Sequence, residues 1–102
     1  MKPIRVHPEA QLEAEAAIEW YGHRSPSAAG RLVVELRSAL DRIQQSPNQF
    51  PTLAFDTRRI ILGRSPYTIV FRETTTEIEI VAIAHGRRRP SYWRERLSGA
   101  SH

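Results

Sequence analysis

Apolar residues recur along this chain with two different periods, and the change of period divides it into a helical half and a strand half. From Glu9 onward, Ala10, Ala14, Ala17, Ile18 and Tyr21 fall at helical spacing, with Leu12, Ala16 and Trp20 as a neighbouring stripe. Glu9, Glu13 and Glu15 lie in the early turns, where the helix dipole favours negative charge. Gly22 is a natural stop. Ser25 then offers a capping hydroxyl with Pro26 at the first helical position, and Ala29, Leu32, Val33, Leu36, Ala39, Leu40 and Ile43 give a second helix one apolar face. That helix must end near Ser46–Pro47, because proline lacks the amide hydrogen and disfavours helical geometry before it. An antiparallel helical hairpin is predicted.

The rest of the chain alternates. Ile4 to His7 reads as a first strand ended by Pro8, and Arg58 to Leu62, Tyr67 to Arg72 and Ile78 to Ala84 read as three successive strands. Gly63 to Pro66 and Thr74 to Thr76 supply the turns. Phe50 and Leu53 to Phe55 are expected to tuck the intervening loop against the core. Pro90 to Leu97 reads as a short terminal helix and Ser98 to His102 as a frayed end. Strand parity puts Tyr67, Ile69 and Phe71 with Ile78, Ile80, Ala82 and Ala84 on the face that meets the hairpin. Thr68, Val70, Arg72, Val81, Ile83 and His85 then form an opposite face that no further element covers, a candidate docking surface. The expected fold class is α+β in two layers: an N-terminal strand, a helical hairpin, a three-stranded antiparallel sheet and a short C-terminal helix.

At 102 residues the chain has room for one domain, taken to span 1–102. It contains no cysteine, and its four histidines are scattered without ligand spacing, so neither a metal nor a cofactor is expected. The N-terminus is too polar for a signal peptide and no apolar run approaches a membrane span, which reads as a soluble cytoplasmic protein. The net charge of +4 speaks to the sign of a partner, not to a function. Lys2 is the single lysine. A general arginine excess is what a GC-rich genome produces, so the informative part is its clustering near residues 87 to 96.

There Arg87-Arg88-Arg89-Pro90-Ser91-Tyr92-Trp93-Arg94-Glu95-Arg96 combines bidentate cations with stacking rings, the chemistry that holds a nucleic-acid backbone or anchors a protein interface. Trp93 and Leu97, at i and i+4, are expected to pin the segment to the core while Arg88, Arg89, Arg94 and Arg96 stay solvated. His85 has the intrinsic pKa for acid–base work, but at a strand end before Gly86 a capping or packing role is the preferred reading. Glu13, Glu15 and Glu19 read as a solvated helix face, not as a paired-carboxylate site.

The order of elements, the Pro47 to Pro51 loop, the Pro66-Tyr-Thr-Ile-Val-Phe71 strand and the ending His85-Gly-Arg-Arg-Arg-Pro-Ser-Tyr-Trp93 resemble the RelE/ParE superfamily of bacterial type II toxins. The ending is similar to that of ParE-like, plasmid-stabilisation members. The resemblance implies a growth-arresting toxin in a hetero-oligomer with a small antitoxin, with the first strand beside the last. It also implies two possible targets: DNA gyrase, inhibited without catalysis, or the ribosome, where the toxin cuts mRNA. A nuclease would draw on His85, Arg72, Arg87 and Tyr92. Against it, Thr68 stands where RelE carries an arginine, Arg58 and Arg59 stand for lysines, and Trp93 aligns with a catalytic tyrosine. The gyrase reading is preferred, with an inactive antitoxin-binding module as a third. Arg58, Arg59, Arg72, Val81, Ile83, Arg87, Arg88, Arg89, Arg94 and Arg96 are the candidate contacts for target or antitoxin.

Overall fold

The computed structural model describes residues 1–99. Strand β1 (Ile4–Val6) leads into helices α1 (Pro8–Arg24) and α2 (Pro26–Gln45). There follow β2 (Thr52–Leu53), β3 (Thr57–Ile61), β4 (Tyr67–Glu73), β5 (Ile78–His85) and the five-residue α3 (Glu95–Gly99). Helix α1 begins at Pro8, and the His7 ring nitrogen Nδ1 accepts the Glu9 N–H as its cap. Gly22 does not end this helix. The break falls at Ser25, whose extended backbone closes α1 by donating its N–H to Tyr21 while its hydroxyl accepts the Ala28 N–H to open α2. Helix α2 stops at Gln45, and Pro47 opens a single 3-10 turn, Pro47–Gln49.

The five strands lie in the order β1-β5-β4-β3-β2. β1 runs parallel to β5, Ile4 opposite Ile78 and Val6 opposite Ile80, and every other pair is antiparallel. The small β2 escaped the sequence pattern. Its three-residue turn into β3 places Phe55 and Asp56 at positive φ, 62° and 59°, and is closed by the Thr57 N–H donating to the Ala54 carbonyl. Phe50 is buried edge-on to Phe71, as the loop-anchor reading requires. Phe55 instead stays 45% exposed.

The main core lies between the hairpin and one sheet face, with Leu32, Leu36, Ala39 and Ile43 of α2 against Ile69, Phe71, Ile78, Ile80 and Ile83. Helix α1 contributes Ala10 and Ala17, whereas Leu12 and Trp20 of the neighbouring stripe are exposed. Parity fails in β5. Val70 pairs with Ala82 but Phe71 pairs with Ile80, so Val81 is the extra residue of a β-bulge. A bulge turns every later side chain to the other face. Ile83 accordingly joins the main core, and Ala82 turns away from the hairpin, reversing both assignments.

The second sheet face is covered after all. Val70, Val81 and Ala82 form a separate core with Trp93, flanked by Leu53, Tyr92 and Leu97. The third layer is the C-terminal segment itself, which makes turns over residues 90–94 before α3, so the helix is shorter than the Pro90–Leu97 expected. Ser98 and Gly99 lie within α3; positions 100–102 of the expected frayed end are outside the described residues. Among the described residues no helix is long and apolar enough to cross a membrane.

Candidate functional site

A single carboxylate organises the C-terminal basic segment. Glu13, midway along α1, accepts hydrogen bonds from the Tyr92 hydroxyl at 2.7 Å, from both Arg96 terminal nitrogens at 2.8 and 2.9 Å, and from the Ile83 N–H at 3.0 Å. Arg96 also donates to the Val81 carbonyl at 3.0 Å. Side chain and guanidinium thereby occupy backbone groups of β5 beyond the end of β1. Burial opposes ionisation of Glu13, but the hydrogen bonds from Arg96, Tyr92 and Ile83 outweigh it and hold the carboxyl below its usual range. The Tyr92 phenol is pushed up, by burial first and then by Glu13. The Glu13 hydrogen bond raises Arg96 further.

A second carboxylate, Glu79, is buried at 1% exposure inside the sheet. It bridges Arg5 at 2.6 Å and Arg72 at 2.9 Å, and Arg72 donates on to the Leu97 carbonyl of α3. A buried carboxylate is tolerable only with such partners. Arg72 is therefore a strut between the sheet and the terminal helix.

The four residues drawn on for nuclease chemistry do not converge. His85 stands opposite Tyr67 and Arg72 opposite Glu79, five residues apart along β4 and roughly 16 Å at strand rise. The His85 ring meets Tyr67 edge-on at 5.3 Å, and its Nδ1 accepts the Arg87 N–H at 3.1 Å. Both contacts fit a packing and capping histidine. Tyr92 and His85 do share a groove of about 450 Å³ between α1 and the end of β5, with Arg88, Trp20 and Tyr67 in its walls. Arg72 and Arg87 are not part of it.

The candidate contact residues fall into two groups. Arg87, Arg88, Arg89 and Arg94 are exposed; Arg88 lies 3.8 Å over the Tyr92 ring and Arg94 4.8 Å over Phe55. Arg58 is directed inward, donating to the Phe50 carbonyl at 2.7 Å, and the Arg59 Nε is buried without a partner among the described residues. Val81 and Ile83, assigned to an open sheet face, are buried at 0% and 6% by the bulge and its cover. Arg96, expected to be solvated, is clamped by Glu13. Trp93 is buried at 4% exposure, edge-on to Phe55.

Sequence reasoning missed Glu79 and misassigned Glu13 to a solvated helix face, from which its hydrogen bonds to Tyr92, Arg96 and Ile83 remove it. For Glu79 a signal existed: a lone carboxylate inside Ile78-Glu-Ile-Val-Ala-Ile-Ala84 demands a buried cation. For Glu13 none did, since its partners lie 70 to 83 residues away.

Residues 4–90 match the family described as the ParE toxin of the type II toxin–antitoxin system parDE. Toxin ParE2 of Mycobacterium tuberculosis (strain H37Rv) is 30% identical over 97 residues, covering 94% of this chain and 92% of that protein. Toxin RelE1 of Caulobacter vibrioides is 31% identical over 85 residues, covering 81% and 91%. Among solved structures, one described as a chromosomal ParDE TA system from P. aeruginosa superposes with a TM-score of 0.73 at 25% identity, covering 83% of this chain and 96% of that one.

Proposed function

The chain belongs to the ParE toxin family of type II toxin–antitoxin systems, and from that premise we propose that it arrests growth by contact with DNA gyrase and is neutralised by a cognate antitoxin. The observation that carries this reading over ribonuclease is the engagement of the groups a nuclease would need. Cleavage through a ribose 2′-hydroxyl requires a base, an acid and cations around one phosphate. Here the Tyr92 hydroxyl is donated to Glu13 and Arg72 is held by Glu79 at the far end of the sheet from His85. What stays exposed is the run Arg87, Arg88 and Arg89 with Arg94. Bidentate cations over aromatic rings suit a large acidic partner surface.

The test is a supercoiling and DNA-cleavage assay with purified gyrase, the chain, and its antitoxin added back. Antitoxin-reversible accumulation of cleaved plasmid is expected. Growth arrest with no effect on gyrase would transfer the weight to ribosome-dependent mRNA cleavage. The shared groove of His85, Tyr92 and Arg88 and the likeness to Toxin RelE1 favour that alternative. Absence of growth arrest altogether would leave an antitoxin-binding module without a target.

A further inference from the structure

We propose that the groove between α1 and the end of β5 binds a nucleoside monophosphate, with the base stacked on Trp20 and the phosphate held by Arg88. At about 450 Å³ the groove falls within the range of roughly 300–1,000 Å³ that small-molecule sites occupy. Trp20 and Tyr21 of α1 form one wall, and Tyr67, His85 and Tyr92 form the other. Trp20 is 52% exposed and belongs to neither core cluster, so packing within the chain does not account for it. Its ring is nevertheless braced. Tyr21 meets it edge-on at 5.0 Å, and the Arg24 guanidinium lies 4.0 Å over the indole. Arg24 lines the neighbouring depression on α1 and not this groove, so it covers the indole face turned away and leaves the groove side free. A braced ring with one open face is a stacking platform, and stacking on such a ring is tolerant of which base it receives.

The polar groups of the groove select the sign of the ligand. Its one carboxylate, Glu13, is saturated: Oε1 accepts from Ile83 and Arg96, and Oε2 from Tyr92 and Arg96. Its one guanidinium is available. Arg88 rests 3.8 Å over the Tyr92 ring and makes no ion pair among the described residues. The Tyr21 and Tyr67 hydroxyls likewise have no hydrogen-bond partner among the described residues. Rings without a free carboxylate disfavour a ligand cation, whereas a fork of N–H donors fits one phosphate bidentately. A planar ring joined to a single phosphate satisfies both halves of the site. Binding of this kind requires no cleavage. The Tyr92 hydroxyl is committed to Glu13, and a monophosphate has no internucleotide bond to cut, so the site is independent of the choice between gyrase and ribosome.

The experiment titrates the full chain with adenosine monophosphate, followed by calorimetry and by tryptophan fluorescence. Trp93 is 4% exposed and Trp20 52%, so quenching by a ligand stacked in the groove reports on Trp20. Saturable heat and quenching are expected, both weakened by added salt. Calorimetric affinity is expected to fall about tenfold or more in Trp20→Ala, which removes the stacking face, and by about tenfold in Arg88→Gln, which removes the phosphate's cation. Both side chains are exposed, so neither variant disturbs the core, and unchanged urea midpoints confirm that the lost affinity is local. Adenosine, which lacks the phosphate, is expected to bind about tenfold more weakly than the monophosphate. Absence of binding, undiminished affinity in either variant, or equal affinity for adenosine would each overturn the proposal. Binding of a single-stranded oligonucleotide without binding of the monophosphate would overturn it as well, by assigning the groove to a strand.

Discussion

In Glu13→Ala the Tyr92 hydroxyl, the Arg96 guanidinium and the Ile83 N–H lose acceptors that stood at 2.7 to 3.0 Å. Both charged side chains are largely out of water, at 17% exposure for Glu13 and 13% for Arg96. Breaking a buried pair by removing one partner costs about 3–5 kcal/mol. The residual exposure and the Val81 carbonyl that Arg96 retains reduce the expected loss to about 2–4 kcal/mol. For a domain of this size that corresponds to a drop in Tm on the order of 10–25 °C. The assay is thermal and urea unfolding of Glu13→Ala, Arg96→Ala and the double variant, with a coupling of about 1–3 kcal/mol expected between them. The pH dependence supplies an independent check. A carboxyl whose folded pKa is depressed contributes fully above its unfolded value, near ~4.3, and loses that contribution as pH falls through the folded value. Wild-type stability is therefore expected to fall more steeply below about pH 4 than that of Glu13→Gln. Additive single variants, or parallel acid curves, would refute the clamp.

Three further outcomes are expected. Glu79→Ala, which leaves Arg72 without its carboxylate and Arg5 with Glu77 alone, is expected to destabilise the chain by about 3 kcal/mol in urea unfolding. Gly30→Ala is expected to raise the stability of the free chain by roughly 0.5–1 kcal/mol, because the added methyl meets open space; a lower urea midpoint would contradict that geometry. His85→Ala, which removes an edge contact to Tyr67 and a cap on Arg87, is expected to keep growth arrest largely intact. Complete loss of toxicity in a folded His85→Ala protein would count for the nuclease reading.

The helical hairpin was legible because its signals are local. Ser25 and Pro26 set one boundary and Ser46–Pro47 another, and each acts through the backbone within four residues. Apart from the two-residue β2, the strands were equally plain from alternation, except where alternation itself breaks. No residue type in Val81-Ala-Ile83 announces a bulge, yet the bulge decides that Ile83 enters the core and that Val81 packs under Trp93. The parity argument had therefore left half a sheet face open that the chain's last ten described residues close. Trp93 was rightly assigned to packing, whereas Arg96 was misjudged as solvated because its partner, Glu13, sits 83 residues earlier. Long-range ion pairs leave no periodic trace in a sequence.

Once those pairs are assigned, the arginines separate into two populations with different physical work. Arg5, Arg72 and Arg96 hold carboxylates and tie β1, β4 and the C-terminal segment into one unit. Arg24, Arg31, Arg37, Arg42, Arg58, Arg59, Arg64, Arg87, Arg88, Arg89 and Arg94 make no ion pair among the described residues, and the net charge of +4 resides in such unpaired groups. Seven of them gather in two places: Arg31, Arg42 and Arg64 line a groove of about 660 Å³ between α2 and β3, and Arg87, Arg88, Arg89 and Arg94 follow β5. Two separate cationic surfaces allow two acidic partners to be engaged independently. If the antitoxin occupied only the groove, neutralisation of the terminal arginines would have to come from steric overlap or a second antitoxin segment. Charge reversal at Arg88 and Arg89 separates these cases: with a groove-only antitoxin it abolishes growth arrest while leaving antitoxin affinity within about twofold, since screened surface charges this far from the contact contribute little. A loss of antitoxin affinity beyond about tenfold would instead mean that the antitoxin spans both surfaces and competes with the target directly.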